Sequence, residues 1–238
     1  MDKKTWTIGK LNLRTIDAAY GVSIGIFLAL AISSTINFII FNEHAGNGSD
    51  ISPANALWLL PLIAGIIIPA NNFRRIINLG AKRDDFIWGS LITYVILAAS
   101  VSLVVTVMNF TIEPWAERHD YYNPDFLGGI ANLTEVFGWA SRGAIVTFIQ
   151  QFAFLFLLGA FFHTWTTMQG KWYGWVANVL IVAIISVFLP IPILRRALSW
   201  FFRLILHHQH SFVQIGACLV LGFGIYMLSK PILAKRGL

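Results

Sequence analysis

The sequence predicts an all-α polytopic membrane protein with six transmembrane helices, and three observations lead there. The 238 residues are 57% hydrophobic and only 12% charged, where soluble domains average about 25% charged. Six stretches, residues 18–41, 51–73, 86–112, 143–170, 172–194 and 204–229, contain no Asp, Glu, Lys or Arg. Each is at least as long as the roughly 17 to 25 residues that a helix needs to cross hydrocarbon. The stretches are apolar on every side, whereas a barrel strand alternates over about ten residues. Most of the chain is thereby committed to the bilayer, and residues 1–238 are expected to form a single transmembrane domain with no separate catalytic domain. The lone Cys218 allows no intrachain disulfide.

The elements follow in order. Lys3, Thr7, Lys10, Arg14 and Asp17 recur at helical spacing, with Trp6, Leu13 and Ile16 on the other face. Residues 1–17 are therefore expected to form an amphipathic helix lying in the membrane interface. The apolar run that follows is longer than the about 7 to 15 residues of a signal-sequence core, so it is expected to be a retained first span. Within the six runs the spans are placed at 18–41, 54–73, 86–110, 143–168, 173–194 and 211–229.

The second loop holds Arg74, Arg75, Lys82 and Arg83 beside Asp84 and Asp85. Arg75, Asn78 and Lys82 share a helical face, and Gly80 is suited to ending a helix and redirecting the chain. It is a compact elbow dense in charge, whose basic residues also suit a simple anchoring role. The third loop, 113–142, is long, polar and acidic, broken by Pro114, Pro124, Gly128 and Gly129. In the fifth loop Pro190 and Pro192 end a helix. Beyond them Leu194, Leu198, Phe201 and Ile205 form an apolar stripe against Arg196, Ser199 and Arg203. That pattern predicts a short helix in the outer interface before the last span, its arginines reaching lipid phosphates.

Charge sorting fixes the expected orientation. With six spans the termini share a side, which collects Lys3, Lys4, Lys10, Arg14, Arg74, Arg75, Lys82, Arg83, Lys171, Lys230, Lys235 and Arg236. The opposite side receives Arg118, Arg142, Arg195, Arg196 and Arg203 and most of the acids. Both termini are expected in the cytoplasm.

The sequence is sparing with chemistry. It has no phosphate-binding P-loop, no His-Glu-x-x-His, no Cys-x-x-Cys and no Gly-x-Ser-x-Gly. No metal site and no nucleic-acid partner are expected, and His207, His208 and His210 are better read as an interfacial polar cap. His163 is the one ionisable group inside a span. An ion-coupled carrier needs more such groups, because each costs about 2.5 to 3.5 kcal/mol at a helix centre and persists for a function. The intramembrane amides Asn37, Gln150, Gln151 and Asn178 suit either contact with an amphiphilic substrate or hydrogen bonding between helices.

An amphipathic N-terminal helix, six spans, a charged elbow and a short helix before the last span are together similar to the permease subunits of ABC-2 type (ABCG-like) transporters. The elbow motif is Leu79-Gly80-Ala81-Lys82-Arg83-Asp84-Asp85-Phe86, with Lys82 where a small residue is more usual. The resemblance implies a cytoplasmic coupling helix built from Arg74, Arg75, Asn78, Leu79, Gly80, Lys82, Arg83, Asp84 and Phe86. It further implies a separate ABC ATPase subunit that carries ATP and Mg, with no cofactor on this chain, and a second permease copy or sibling subunit. An amphiphilic peptide, drug or lipid-like molecule would be exported across a bacterial plasma membrane by alternating access. The rival class is a six-span scaffold, sensor or immunity factor that binds peptide or lipid without an ATPase.

Overall fold

The computed structural model describes residues 3–41, 52–112, 114, 132–169, 171–188 and 190–234. The described residues are helical almost throughout, with no strand among them. In chain order the helices are α1 (Lys3–Arg14), α2 (Asp17–Phe41), α3 (Pro53–Asn78), α4 (Arg83–Ile112), α5 (Leu133–Val136), α6 (Ala144–Met168), α7 (Trp172–Ala183), α8 (Pro192–Leu206) and α9 (Ser211–Ala234). Most of the acidic third loop and the last residues, Lys235 and Arg236 included, lie outside the described set.

Among the described residues four helices, α3, α4, α6 and α9, are long and apolar enough to cross a membrane; α1 and the first part of α2, Asp17–Ser33, bent by 47°, supply a fifth candidate. The fifth apolar run carries a shorter helix than these: its α-helix, Trp172–Ala183, passes into a π-helical turn, Ile184–Phe188, just ahead of Pro190 and Pro192. Proline at 190 cannot supply the N–H that would extend it.

The bundle is organised around α6, which packs most extensively on α9 and also on α3 and α4. Small residues set these distances. A Cβ on Gly65 would lie 2.9 Å from the Gly159 carbonyl oxygen, and one on Gly222 would lie 3.0 Å from the Phe156 ring. In lipid no hydrophobic force draws helices together, so close backbone approach and interhelical hydrogen bonds do that work.

The N-terminal helix also differs from expectation. Its charged residues Lys3, Lys10 and Arg14 are exposed, but its buried stripe is Thr5, Ile8, Gly9 and Asn12, while Trp6 stays 42% exposed. This stripe packs on α4, where Gly89 faces Ile8 and the Thr5 carbonyl and Thr93 Oγ1 donates to the Gly9 carbonyl at 3.3 Å. Asn12 Nδ2 donates to Ser90 Oγ at 3.2 Å and its Oδ1 accepts from Asn72 Nδ2 at 3.0 Å. The helix is thus docked on protein along one face, because two glycines let the backbones meet where bulky residues would hold them apart.

Candidate functional site

The charged elbow begins as the end of a span. Helix α3 opens as a 3-10 turn, Pro53–Trp58, continues as α-helix, widens into a π-helical turn at Ile68–Asn72, and resumes through Phe73–Asn78. The helical part of the elbow, Phe73–Asn78, follows the π turn as a continuation of α3, and only 79–82 lie between it and α4. The π turn explains how the helix survives Pro69, since a locally widened backbone accommodates a residue that cannot donate.

Gly80 makes the reversal. Its φ is +85°, its N–H donates to the Ile77 carbonyl at 2.9 Å, and the Ala81 N–H donates to the Ile76 carbonyl at 3.3 Å. This is the Schellman arrangement, in which a left-handed residue after the helix end satisfies the last carbonyls. Helix α4 then starts at Arg83 with Asp84 and Asp85 in its first turn, where carboxylates oppose the positive end of the helix dipole.

The turn presents two chemistries. Arg74, Arg75, Asn78 and Lys82 are exposed, and Leu79 is 74% exposed at the tip. The start of α4 also meets the end of α9 at the surface. Asp84 pairs with Lys230 of α9 at 3.0 Å, and the Arg83 guanidinium donates to the Ala234 carbonyl at the end of the same helix. Phe73 and Phe86, both fully buried, meet edge to face with centroids 5.2 Å apart. The elbow residues are thus brought together at one end of the bundle, with cations and Leu79 outward and phenylalanines inward.

Beneath the turn lies a polar-aromatic plug that sequence reasoning did not assemble. His163 of α6 sits against Phe86, Tyr94 and Tyr226, at centroid distances of 6.4, 5.4 and 4.9 Å. Tyr94 Oη and His163 Nδ1 share a hydrogen bond of 2.8 Å, and Tyr226 Oη donates to the Ile87 carbonyl. Four helices, α3, α4, α6 and α9, therefore converge directly under the turn. The sequence flagged His163 as the sole ionisable group in a span, but a single tyrosine in an apolar run carries no comparable mark.

The amides flagged as a substrate path are not gathered into one site. Gln150 Nε2 donates to Gln214 Oε1 at 2.6 Å, and Gln214 Nε2 donates to the Ile205 carbonyl at 2.9 Å, linking α6, α9 and α8. Gln151 Nε2 donates to Thr134 Oγ1 at 3.0 Å, next to Asn109 and Asn132 near the opposite end from the turn. Asn178, midway along α7, joins Trp165 and Gln169, accepting from Trp165 Nε1 at 2.8 Å. The side chain of Asn37 lies outside the described residues. Gln150 and Gln151 are fully buried among these partners, an arrangement that ties helices together. No family model, curated protein or solved structure matches the chain.

Proposed function

We propose that the chain is the membrane-spanning permease subunit of an ATP-driven ABC exporter, and that residues 74–83 dock on a separate ATPase subunit. One observation supports the reading: an exposed cationic turn with an apolar tip joins the ends of two spans through a hydrogen-bonded reversal at Gly80, over the buried Phe73–Phe86 contact. On an ATPase, Leu79 would enter an apolar cleft while Arg74, Arg75 and Lys82 meet acidic residues around it, setting orientation and excluding wrong partners. Closure of the ATPase pair on ATP would push the turn, and Phe73, Phe86 and the Asp84–Lys230 pair would pass that displacement to α3, α4 and α9.

The reading includes six crossings with both termini in the cytoplasm, the short α7 and its π turn completing the fifth with local thinning of the bilayer. It includes a second permease copy or sibling subunit, and an amphiphilic cargo. The test is co-purification in mild detergent with the ATPase encoded beside the protein, comparing the native chain with Arg74→Glu/Arg75→Glu/Lys82→Glu. All three residues are exposed, so the variant is expected to fold. The expected result is retention by the native chain and a loss of at least about tenfold in the variant, about 1.4 kcal/mol of affinity, at unchanged melting temperature. If the native chain retains no ATPase, the exporter reading fails and a scaffold or sensor takes its place.

A further inference from the structure

A pocket of about 760 Å³ opens where α8 ends and α9 begins, lined by Trp200, Arg203, Leu204, His207, His208 and His210. Its lining mixes two chemistries: a guanidinium, three imidazoles and the Gln209 amide, with no carboxylate among the described lining residues, and the apolar Trp200 and Leu204. Ile193, 73% exposed, falls on the same helical face of α8 as Trp200 and Leu204.

The corner is held by specific bonds, so the pocket is a defined shape. Trp139 Nε1 donates to the Leu206 carbonyl at 2.8 Å, and Gln214 Nε2 donates to the Ile205 carbonyl. Arg142 braces the connection from behind, with Nη2 on the His208 carbonyl at 2.7 Å and Nη1 on Ser211 Oγ at 2.9 Å. His208 Nδ1 lies 3.1 Å from the His210 backbone nitrogen and 3.2 Å from the His210 carbonyl oxygen, which holds the ring within the connection.

The pocket's level in the membrane follows from the chain. Ser211 begins a helix long and apolar enough to span, so residues 203–210 flank the end of hydrocarbon, where headgroups lie. A ligand there must bring an anion for the basic groups and an apolar tail for Trp200 and Leu204. We propose that this pocket seats the phosphate headgroup of an anionic membrane lipid. Arg203 and the histidine N–H groups meet the phosphate oxygens, and an acyl chain runs along Trp200 and Leu204. A zwitterionic lipid fits less well, because its cationic group would face arginine with no carboxylate among the described lining residues to receive it. This inference needs the chain to lie in a membrane and does not depend on the exporter reading.

The test measures thermal unfolding of the full chain in detergent with three probes: dioctanoyl phosphatidylglycerol, dioctanoyl phosphatidylcholine and inorganic phosphate. Phosphatidylglycerol is expected to raise the melting temperature of the native chain and of Arg196→Gln, a substitution on α8 outside the pocket. In Arg203→Gln and in Trp200→Ala its apparent affinity is expected to fall at least about tenfold, as for loss of a charge-assisted contact. An equal response to phosphatidylcholine would reduce the site to an apolar surface, and an equal response to inorganic phosphate would make it a free-anion site. Either outcome overturns the proposal, as does unchanged affinity in both pocket variants.

Discussion

At the scale of single residues, the buried pair Tyr94 and His163 has the clearest energetic consequence. Tyr94 lies on α4 and His163 on α6, both fully buried, and His163 Nε2 has no hydrogen-bond partner among the described residues. Tyr94→Phe takes away the only group among the described residues that bonds the ring, so a polar imidazole loses that partner, at a cost of about 1 to 3 kcal/mol. Adding His163→Leu removes the stranded polar group, so the double variant should be less destabilised than the sum of the singles. Denaturant unfolding of the four proteins in detergent closes the cycle, and strict additivity would show that the 2.8 Å contact contributes nothing.

At the scale of elements, two glycines hold two junctions by different means. Gly80 needs a positive φ but has open space around its missing Cβ, whereas a Cβ on Gly89 would lie 2.6 Å from Ile8 Cγ2 and 3.1 Å from the Thr5 carbonyl oxygen. Gly80→Val therefore strains only the turn, by about 1 to 2 kcal/mol, while Gly89→Val pries α1 away from α4. Limited trypsin digestion separates them: faster cutting at Arg74, Arg75 and Lys82 is expected in the first, at Lys10 and Arg14 in the second. The same accelerated site in both variants would contradict the distinction. The contrast also marks what a sequence can reveal. The turn at Gly80 is local and was legible, because glycine after a helical pattern has a conformational meaning. The docking of α1 was not, since Gly9 and Gly89 lie far apart in the chain and glycine carries no hydropathy. Likewise the apolar run ending at Phe73 gave no sign that α3 continues to Asn78, because helix length and hydrocarbon thickness are set by different physics.

At the scale of the molecule, the two ends of the bundle are chemically distinct and their sides can be tested. Cys218 is buried, so the native chain is expected to be silent toward a membrane-impermeant maleimide. Leu79→Cys places a thiol at the tip of the basic turn, and Ser141→Cys places one at the exposed far end. The proposed orientation, termini in the cytoplasm, predicts that only Ser141→Cys labels in intact cells and that Leu79→Cys labels after permeabilisation. Labelling of both from the same side would sink the topology. The long apolar helices were legible from hydropathy, which measures fitness for lipid. Which faces meet one another was not, and Gln150, Gln151 and Asn178 became interpretable only with their partners beside them. The central position of α6 has a last consequence, for biosynthesis. Ribosomes deliver α3 and α4 first, yet His163, the partner of Tyr94, follows 69 residues later, and the α9 residues that face them come later still. Polar groups on α1 can already satisfy Asn72, Ser90 and Thr93, but Tyr94 must wait for α6, so a nascent chain halted before α6 is the form that membrane quality control should recognise.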